Sequence, residues 1–198
     1  MNSVQLFENE IANWFGSPYA VATDSCTHAI ELSLRYKGVI QTACPSRTYV
    51  SIPMTLEKLG IDWSWYDEDW TSYYYLKDTN IVDAAVLWER DSYIPKTLMC
   101  LSFQFQKHLS LGRGGAILCG TKQDYDQLKK MSHDGRVPFE PWMQQDIDTL
   151  GYHYYMTLET AEEGLMKLKD AKNRAFKIWT QDEYPYLPNM KVFKDKLK

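Results

Sequence analysis

The sequence predicts an α/β protein, a three-layer sandwich in which helices cover both faces of a mainly parallel sheet. Three observations lead there. Segments with helical spacing alternate with strand-like segments from the N-terminus onward. The strand-like segments are short apolar runs without in–out alternation, the pattern of strands buried on both sides. Polar or small residues close several of these runs just before a helix or a turn, which is where open α/β sheets bind ligands.

The elements follow in order. "VQLFENEIANWF" has apolar residues at helical spacing, "YAVAT" is a short strand, and "CTHAIELSLRY" is helical again. "IQTACP" reads as a strand, "YVSIPMTLEKLG" as a helix closed by Gly60, and "IDWSWYD" as a strand ending on carboxylates. "NIVDAAVLW", "TLMCLSF" and "GGAILCG" are further strands. A polar helix "TKQDYDQLKKMSH" comes next, then an irregular Pro-containing stretch from Val137, a long helix expected from Leu158 to Trp179, and a Lys-rich end. No internal repeat or low-complexity segment interrupts this order.

At 198 residues the chain suits one domain, residues 1–198, with a core over about 15–168 and a C-terminal helix and tail over about 158–198. A chain of this size hides roughly 70% of its extended surface on folding. The formal charge of -4, with acids and bases interspersed, supplies no basic stripe for a phosphate backbone, so nucleic acid is not expected as a partner. The N-terminal stretch lacks both a positive n-region and a continuous apolar h-region, and no apolar run approaches the roughly 20 residues that span a bilayer. A cytoplasmic location without membrane attachment is expected. Cys26, Cys44, Cys100 and Cys119 form no C-x-x-C pair and read as buried thiols, so no metal is expected.

Four features carry potential chemistry. "TDSCTHA", Thr23 to Ala29, joins a strand to a helix, so Ser25, Cys26 and Thr27 can offer N–H groups and hydroxyls to a phosphate. Asp24 or Ser25 as an ordinary N-cap accounts for the same residues. Asp83 follows two β-branched apolar residues, so its carboxylate either reaches water at the strand end or has a partner such as a ring N–H. Lys107 stands between an apolar segment and the turn "LGRGG"; a lysine among apolar groups favours its neutral amine, the condition for Schiff-base chemistry, whereas a solvated lysine is the ordinary alternative. Tyr49, just after Pro45, is either a plain core or surface ring or a flat ring beside a flat cofactor.

Taken in order, these segments resemble pyridoxal-phosphate enzymes of the DegT/StrS kind, sugar aminotransferases of the aspartate-aminotransferase fold (fold type I). "FGSPYAVATDSCTHAIELSL" resembles the family's opening strand, phosphate turn and helix, and "CPSRTYVSIPMTLEKLGI" its next strand and helix. "IVDAAV" is similar to the stretch whose acid faces the pyridine nitrogen, "SFQFQKHLSLGRGGAIL" to the stretch with the Schiff-base lysine, and "LGYHYYMTLETAEEGLMKL" to the late loop and helix. The likeness runs from about Phe15 to Leu168.

The resemblance implies pyridoxal 5′-phosphate as cofactor. It makes Lys107 the covalent anchor and general base, and Asp83 the acid that keeps the pyridine nitrogen protonated. Ser25, Cys26, Thr27 and Ser102 would hold the phosphate, and Tyr49 would stack on the ring. His153, in the late loop, would donate to the phosphate of a partner subunit, which implies a homodimer with shared active sites. Exposed aromatics around Trp63–Trp70 and Tyr152–Tyr155 would favour the same dimer. The implied reaction moves an amino group from a donor such as glutamate to a keto sugar, nucleotide-linked in the family.

Several positions depart from the family pattern. Val86 stands where glutamine is common, Tyr155 where an arginine is, and Arg113 where an acid is. A strand–helix–strand section is missing between Asp67 and Asp83, and the usual small C-terminal domain is not found after the long helix. The resemblance is therefore to a reduced large domain. Two alternatives remain beside transamination: another pyridoxal-phosphate reaction, such as dehydration of a sugar or nucleotide, and a non-catalytic binding or regulatory protein on the same fold.

Overall fold

A computed structural model describes residues 1–197, with side chains through Lys194. Helix α1 (Ser3–Phe15) begins with a reciprocal cap, in which the Asn2 side chain accepts from the Gln5 N–H and the Gln5 side chain accepts from the Asn2 N–H, each at 3.0 Å. Two donors that the helix itself cannot satisfy are thus paired. Strand β1 (Tyr19–Thr23) leads into α2 (Cys26–Tyr36), β2 (Gln41–Pro45), α3 (Ser51–Leu59) and β3 (Asp62–Tyr66). Then come β4 (Tyr74–Tyr75), β5 (Ile81–Asp83), β6 (Leu98–Ser102), β7 (Gly115–Cys119), α4 (Lys122–Ser132) and α5 (Leu158–Asn173).

Five strands form one sheet in the order β1-β7-β6-β5-β4, and β2 pairs with β3 in parallel beside it. The side-chain alternation of the central strands splits the core in two. Val21, Ile81, Cys100 and Ile117 pack on one side with Ile30 and Leu34 of α2, Ile52 and Leu56 of α3, and Leu128 of α4. Ala22, Val82, Leu101 and Leu118 pack on the other with Phe7, Ile11 and Phe15 of α1 and Leu168 of α5. Each large apolar side chain buried this way contributes about 1.5–3 kcal/mol, so the three-layer sandwich follows from strands that carry apolar residues on both faces.

The α/β sheet is mixed, with both parallel and antiparallel pairs. Strands β1, β5 and β6 run in the same direction, but β7 is antiparallel to both neighbours and β4 is antiparallel to β5. Residues 76–80 alone join β4 to β5, fewer than the dozen or more that a parallel return needs. After β6 the chain folds straight back, with the Phe103 N–H donating to the Gly114 carbonyl at 2.9 Å, and this continues the antiparallel pairing with β7.

Three expectations are corrected. The strand expected over "NIVDAAVLW" stops at Asp83, because the Asp83 side chain accepts from the Ala85 N–H at 3.0 Å and turns the chain. The long helix ends at Asn173 instead of Trp179, because Arg174 is extended and the following backbone pairs elsewhere: Trp179 accepts from the Ser72 N–H at 2.8 Å, and Thr180 bridges to Thr71. Trp63 and Trp70 are buried within the chain, covered by Phe193 and Tyr184 from the same C-terminal segment, so they present no exposed aromatic surface.

Strands β4 and β5 form a hairpin. The turn between β4 and β5 meets the second sheet at Lys77, whose N–H donates to the Ala43 carbonyl at 3.0 Å and whose carbonyl accepts from the Thr42 hydroxyl at 2.7 Å. Among the described residues no helix is long and apolar enough to cross a membrane.

Candidate active site

A cavity of about 260 Å3 opens beyond the carboxyl ends of β1, β2, β5 and β6. It is the place a ligand is expected in an α/β sheet, and three chemically distinct groups meet there.

One end is the start of α2. Ser25 is its N-cap, with extended backbone and an Oγ that accepts from the His28 N–H at 3.2 Å. That arrangement leaves the N–H groups of Cys26 and Thr27, the first of the helix, without a protein acceptor among the described residues. The Thr27 hydroxyl donates to Ser51 at 2.9 Å, and Ser102 at the end of β6 lines the same cavity. Close approach of β7 makes this end possible: a Cβ on Gly115 would lie 2.5 Å from the Cys26 nitrogen. Arg113 adds positive charge beside it, with Nη2 2.7 Å from the Asp24 carboxylate.

The opposite end is Asp83, only 5% exposed. Its Oδ1 accepts from the Ala85 N–H and its Oδ2 from the Tyr74 hydroxyl, which also hydrogen-bonds to the Thr48 hydroxyl. Burial pushes the carboxyl pKa up, against the pull of these two donors and of the Lys107 charge.

Lys107 sits in the loop after β6. Its N–H closes a turn onto the Gln104 carbonyl at 2.8 Å, and its half-buried side chain faces the cavity with Nζ 5.3 Å from the centre of the Trp179 ring. Burial lowers its pKa from the ordinary lysine value, while Asp83 and Cys26 act in the opposite sense. The lysine singled out in the sequence is thus in a desolvated place, not in open water.

Seven of the eight residues picked out in the sequence, Ser25, Cys26, Thr27, Tyr49, Asp83, Ser102 and Lys107, line this one cavity. Tyr49 is on the rim and 60% exposed. His153 lies outside the cavity, on the surface, held by Asp134 and Tyr155 at 3.0 Å each. Val86 lines the wall without offering a polar group.

The sequence reading missed Thr48, Trp70, Tyr74, Trp179, Glu183 and Tyr184, all of which line the cavity. Tyr74 was hidden in the run "SYYYL", whose two-residue strand is too short to leave a periodic signal. The other late residues arrive through long-range backbone bonds, such as the Leu187 N–H to the Ser46 carbonyl at 2.9 Å. Two aromatics so close to the end of the chain were the one available signal.

Comparison with known proteins matches the geometry. A profile of the DegT/DnrJ/EryC1/StrS aminotransferase family matches residues 2–86 and 95–178. The chain is 28% identical over 143 residues to a dTDP-3-amino-3,4,6-trideoxy-alpha-D-glucose transaminase of Micromonospora megalomicea subsp. nigra, covering 68% of this chain and 36% of that protein. It is 29% identical over 140 residues to a 3-amino-5-hydroxybenzoate synthase of Amycolatopsis mediterranei (strain S699), covering 69% of this chain and 30% of the other. The chain thus spans about a third of the length of the curated relatives it matches. The crystal structure of sugar aminotransferase CalS13 from Micromonospora echinospora superposes with a TM-score of 0.71 at 15% identity, over 86% of this chain and 61% of that one, which establishes the shared fold.

Proposed function

Because this chain belongs to the DegT/DnrJ/EryC1/StrS aminotransferase family, we propose that its cavity binds pyridoxal 5′-phosphate and that the protein transfers an amino group from a donor such as glutamate to a nucleotide-linked keto sugar. One observation carries the reading: free helix N–H groups, a buried carboxylate and a desolvated lysine line a single cavity. The residues fit that cofactor. The α2 start offers unpaired N–H groups to an anion, Asp83 suits a ring N–H, and Lys107 suits an aldehyde.

In this reading the Cys26 and Thr27 N–H groups, with the hydroxyls of Ser25, Thr27 and Ser102, bind the phosphate. Asp83 holds a proton on the ring nitrogen, and Tyr49 flanks the ring. When bound, the cofactor supplies an electron sink for the carbon that loses a proton. Lys107 would be the amine that holds the cofactor's aldehyde and, when free, the base positioned for the proton of the donor's α-carbon, a task its lowered pKa favours. Trp179 and Tyr184 exclude water from this side of the cavity. The same reading includes a cytoplasmic homodimer in which His153, exposed on the surface, donates to the phosphate in a partner's cavity.

The test is to mix purified protein with pyridoxal phosphate and follow visible absorption, with Lys107→Ala as control. A lysine-dependent band that bleaches with glutamate, with release of 2-oxoglutarate, is the expected result. Absence of a Lys107-dependent band defeats every cofactor-based reading. A second reading, a binding or regulatory protein without turnover, draws on Val86 in the cavity wall; a band that no amino donor converts would favour it. Equilibrium sedimentation tests the dimer, and a monomer at micromolar concentration would remove the role given to His153.

A further inference from the structure

We propose that Tyr74 is a positioning residue that keeps Asp83 ionised and aims it, so that the charge offered to a ring nitrogen is set from the β4–β5 hairpin. The inference rests on the cofactor reading above for its purpose, but its physical content concerns this chain alone. Tyr74 and Asp83 are direct partners across the antiparallel β4–β5 pair, which places the phenol against the carboxylate. Thr48, from the loop after β2, completes a line of three oxygens.

The line has a direction. An ionised carboxylate can only accept, so Tyr74 donates to Asp83 Oδ2 and its own oxygen must receive the Thr48 proton. If Asp83 were protonated, the order would reverse, with Asp83 donating to Tyr74 and Tyr74 to Thr48. The three residues are 2%, 6% and 5% exposed for Thr48, Tyr74 and Asp83, so water has little room to replace a missing donor. Trp70 packs over the Tyr74 ring at 5.1 Å and holds it in place.

Other groups around Asp83 do not make Tyr74 redundant. From the β5 turn, the Ala85 N–H serves Oδ1 only. Lys107, in the loop after β6, favours the anion through space. The thiols of Cys26 and Cys100 and the phenols of Tyr66 and Tyr184 feel the carboxylate as neutral neighbours. Tyr74 is therefore the side-chain donor to Oδ2, and Val86 contributes nothing polar.

The experiment measures the Asp83 titration directly, by carboxyl-carbon NMR of protein without cofactor, with Asp83→Asn to assign the signal. Loss of a hydrogen bond to a charged group in Tyr74→Phe is expected to raise the midpoint by about one pH unit. Thr48→Val removes the outer donor and raises it by less. In parallel, quenching of tryptophan fluorescence by pyridoxal phosphate reads affinity against pH, and its acid limb moves to higher pH in Tyr74→Phe by the same amount. An unchanged or lowered Asp83 midpoint in folded Tyr74→Phe overturns the proposal; if that variant does not fold, an unchanged midpoint in Thr48→Val does so. The two readings separate cleanly. Failure of the native protein to bind pyridoxal phosphate sinks the cofactor reading while the NMR result still decides the role of Tyr74.

Discussion

The Nζ of Lys107 lies 5.3 Å from the centre of the Trp179 ring, and Lys177 approaches the same ring at 4.1 Å. Two effects compete at Lys107. The indole face favours the charged amine by about 0.5–1 kcal/mol at a partly exposed site. Burial disfavours it, and burial is the larger, since the net effect is a lowered pKa. Lys107 should therefore be labelled by an amine-reactive aldehyde at lower pH than the surface lysines, with site-resolved mass spectrometry as the readout. Trp179→Ala admits water and should move the Lys107 profile to higher pH. A shift to lower pH would mean that the ring contact outweighs burial.

Gly115 is the second test. The added methyl of Gly115→Ala meets backbone atoms of Ser25 and Cys26 at 2.5 Å, so strand and helix must separate. Overpacking of this kind costs about 1–3 kcal/mol, to be read by urea denaturation. Affinity for pyridoxal phosphate should fall more than affinity for pyridoxal, because the damage is confined to the end where the phosphate is proposed to sit. Equal losses for the two ligands would place the phosphate elsewhere.

His133 predicts an acid-sensitive stability. Burial, with the Lys129 charge nearby, lowers its pKa from 6.5 to about 4. Between those values the unfolded chain binds a proton that the folded chain refuses, so stability is full above about pH 6.5 and falls as the pH drops toward 4. The loss is on the order of 3 kcal/mol. His133→Asn should flatten that part of the denaturation profile. An unchanged slope would assign the acid sensitivity to other groups.

A fourth prediction concerns the buried pair of Glu8 and Lys129, whose charged atoms are 2.5 Å apart and whose side chains are 3% and 8% exposed. Glu8 also accepts from the Ala22 N–H at 2.7 Å, so it ties α1 to β1 and α4. Lys129→Met leaves a buried carboxylate unpaired and should cost about 3–5 kcal/mol. Adding Glu8→Gln to that variant removes the charge but keeps an acceptor for Ala22, and should recover part of the loss. Chemical denaturation of the single and double variants decides it.

Much of the fold was legible because burial on both faces leaves its mark residue by residue: "YAVAT", "TLMCLSF" and "GGAILCG" each contain an observed strand. Strand direction was not legible in those runs, because a strand buried on both sides reads the same either way. It was available only between β4 and β5, where residues 76–80 are too few for a crossover. Lys107, Asp83 and the Ser25–Thr27 turn were legible because polar residues at apolar strand ends need a reason to be there. Tyr74 and Trp179 were not, since their positions depend on pairing between segments far apart in sequence. The stop at Asn173 was hidden for the same reason, the following residues being drawn to Thr71 and Ser72.

The junction at Lys77 has a consequence for how occupancy and cohesion are related. The cavity lining draws Asp83 from the five-stranded sheet, Lys107 from the loop after β6, and Thr48 and Tyr49 from the loop after the smaller sheet's β2, and the backbone meets across the gap through Lys77 and Ala43. A ligand that touches both sides therefore acts as a cross-brace. If it binds only the joined form, it stabilises that form by RT ln(1 + [L]/Kd), about 2.7 kcal/mol at a hundredfold excess over Kd. Filling the site and holding the two sheets together become one equilibrium, and amide exchange at Lys77 would report on both.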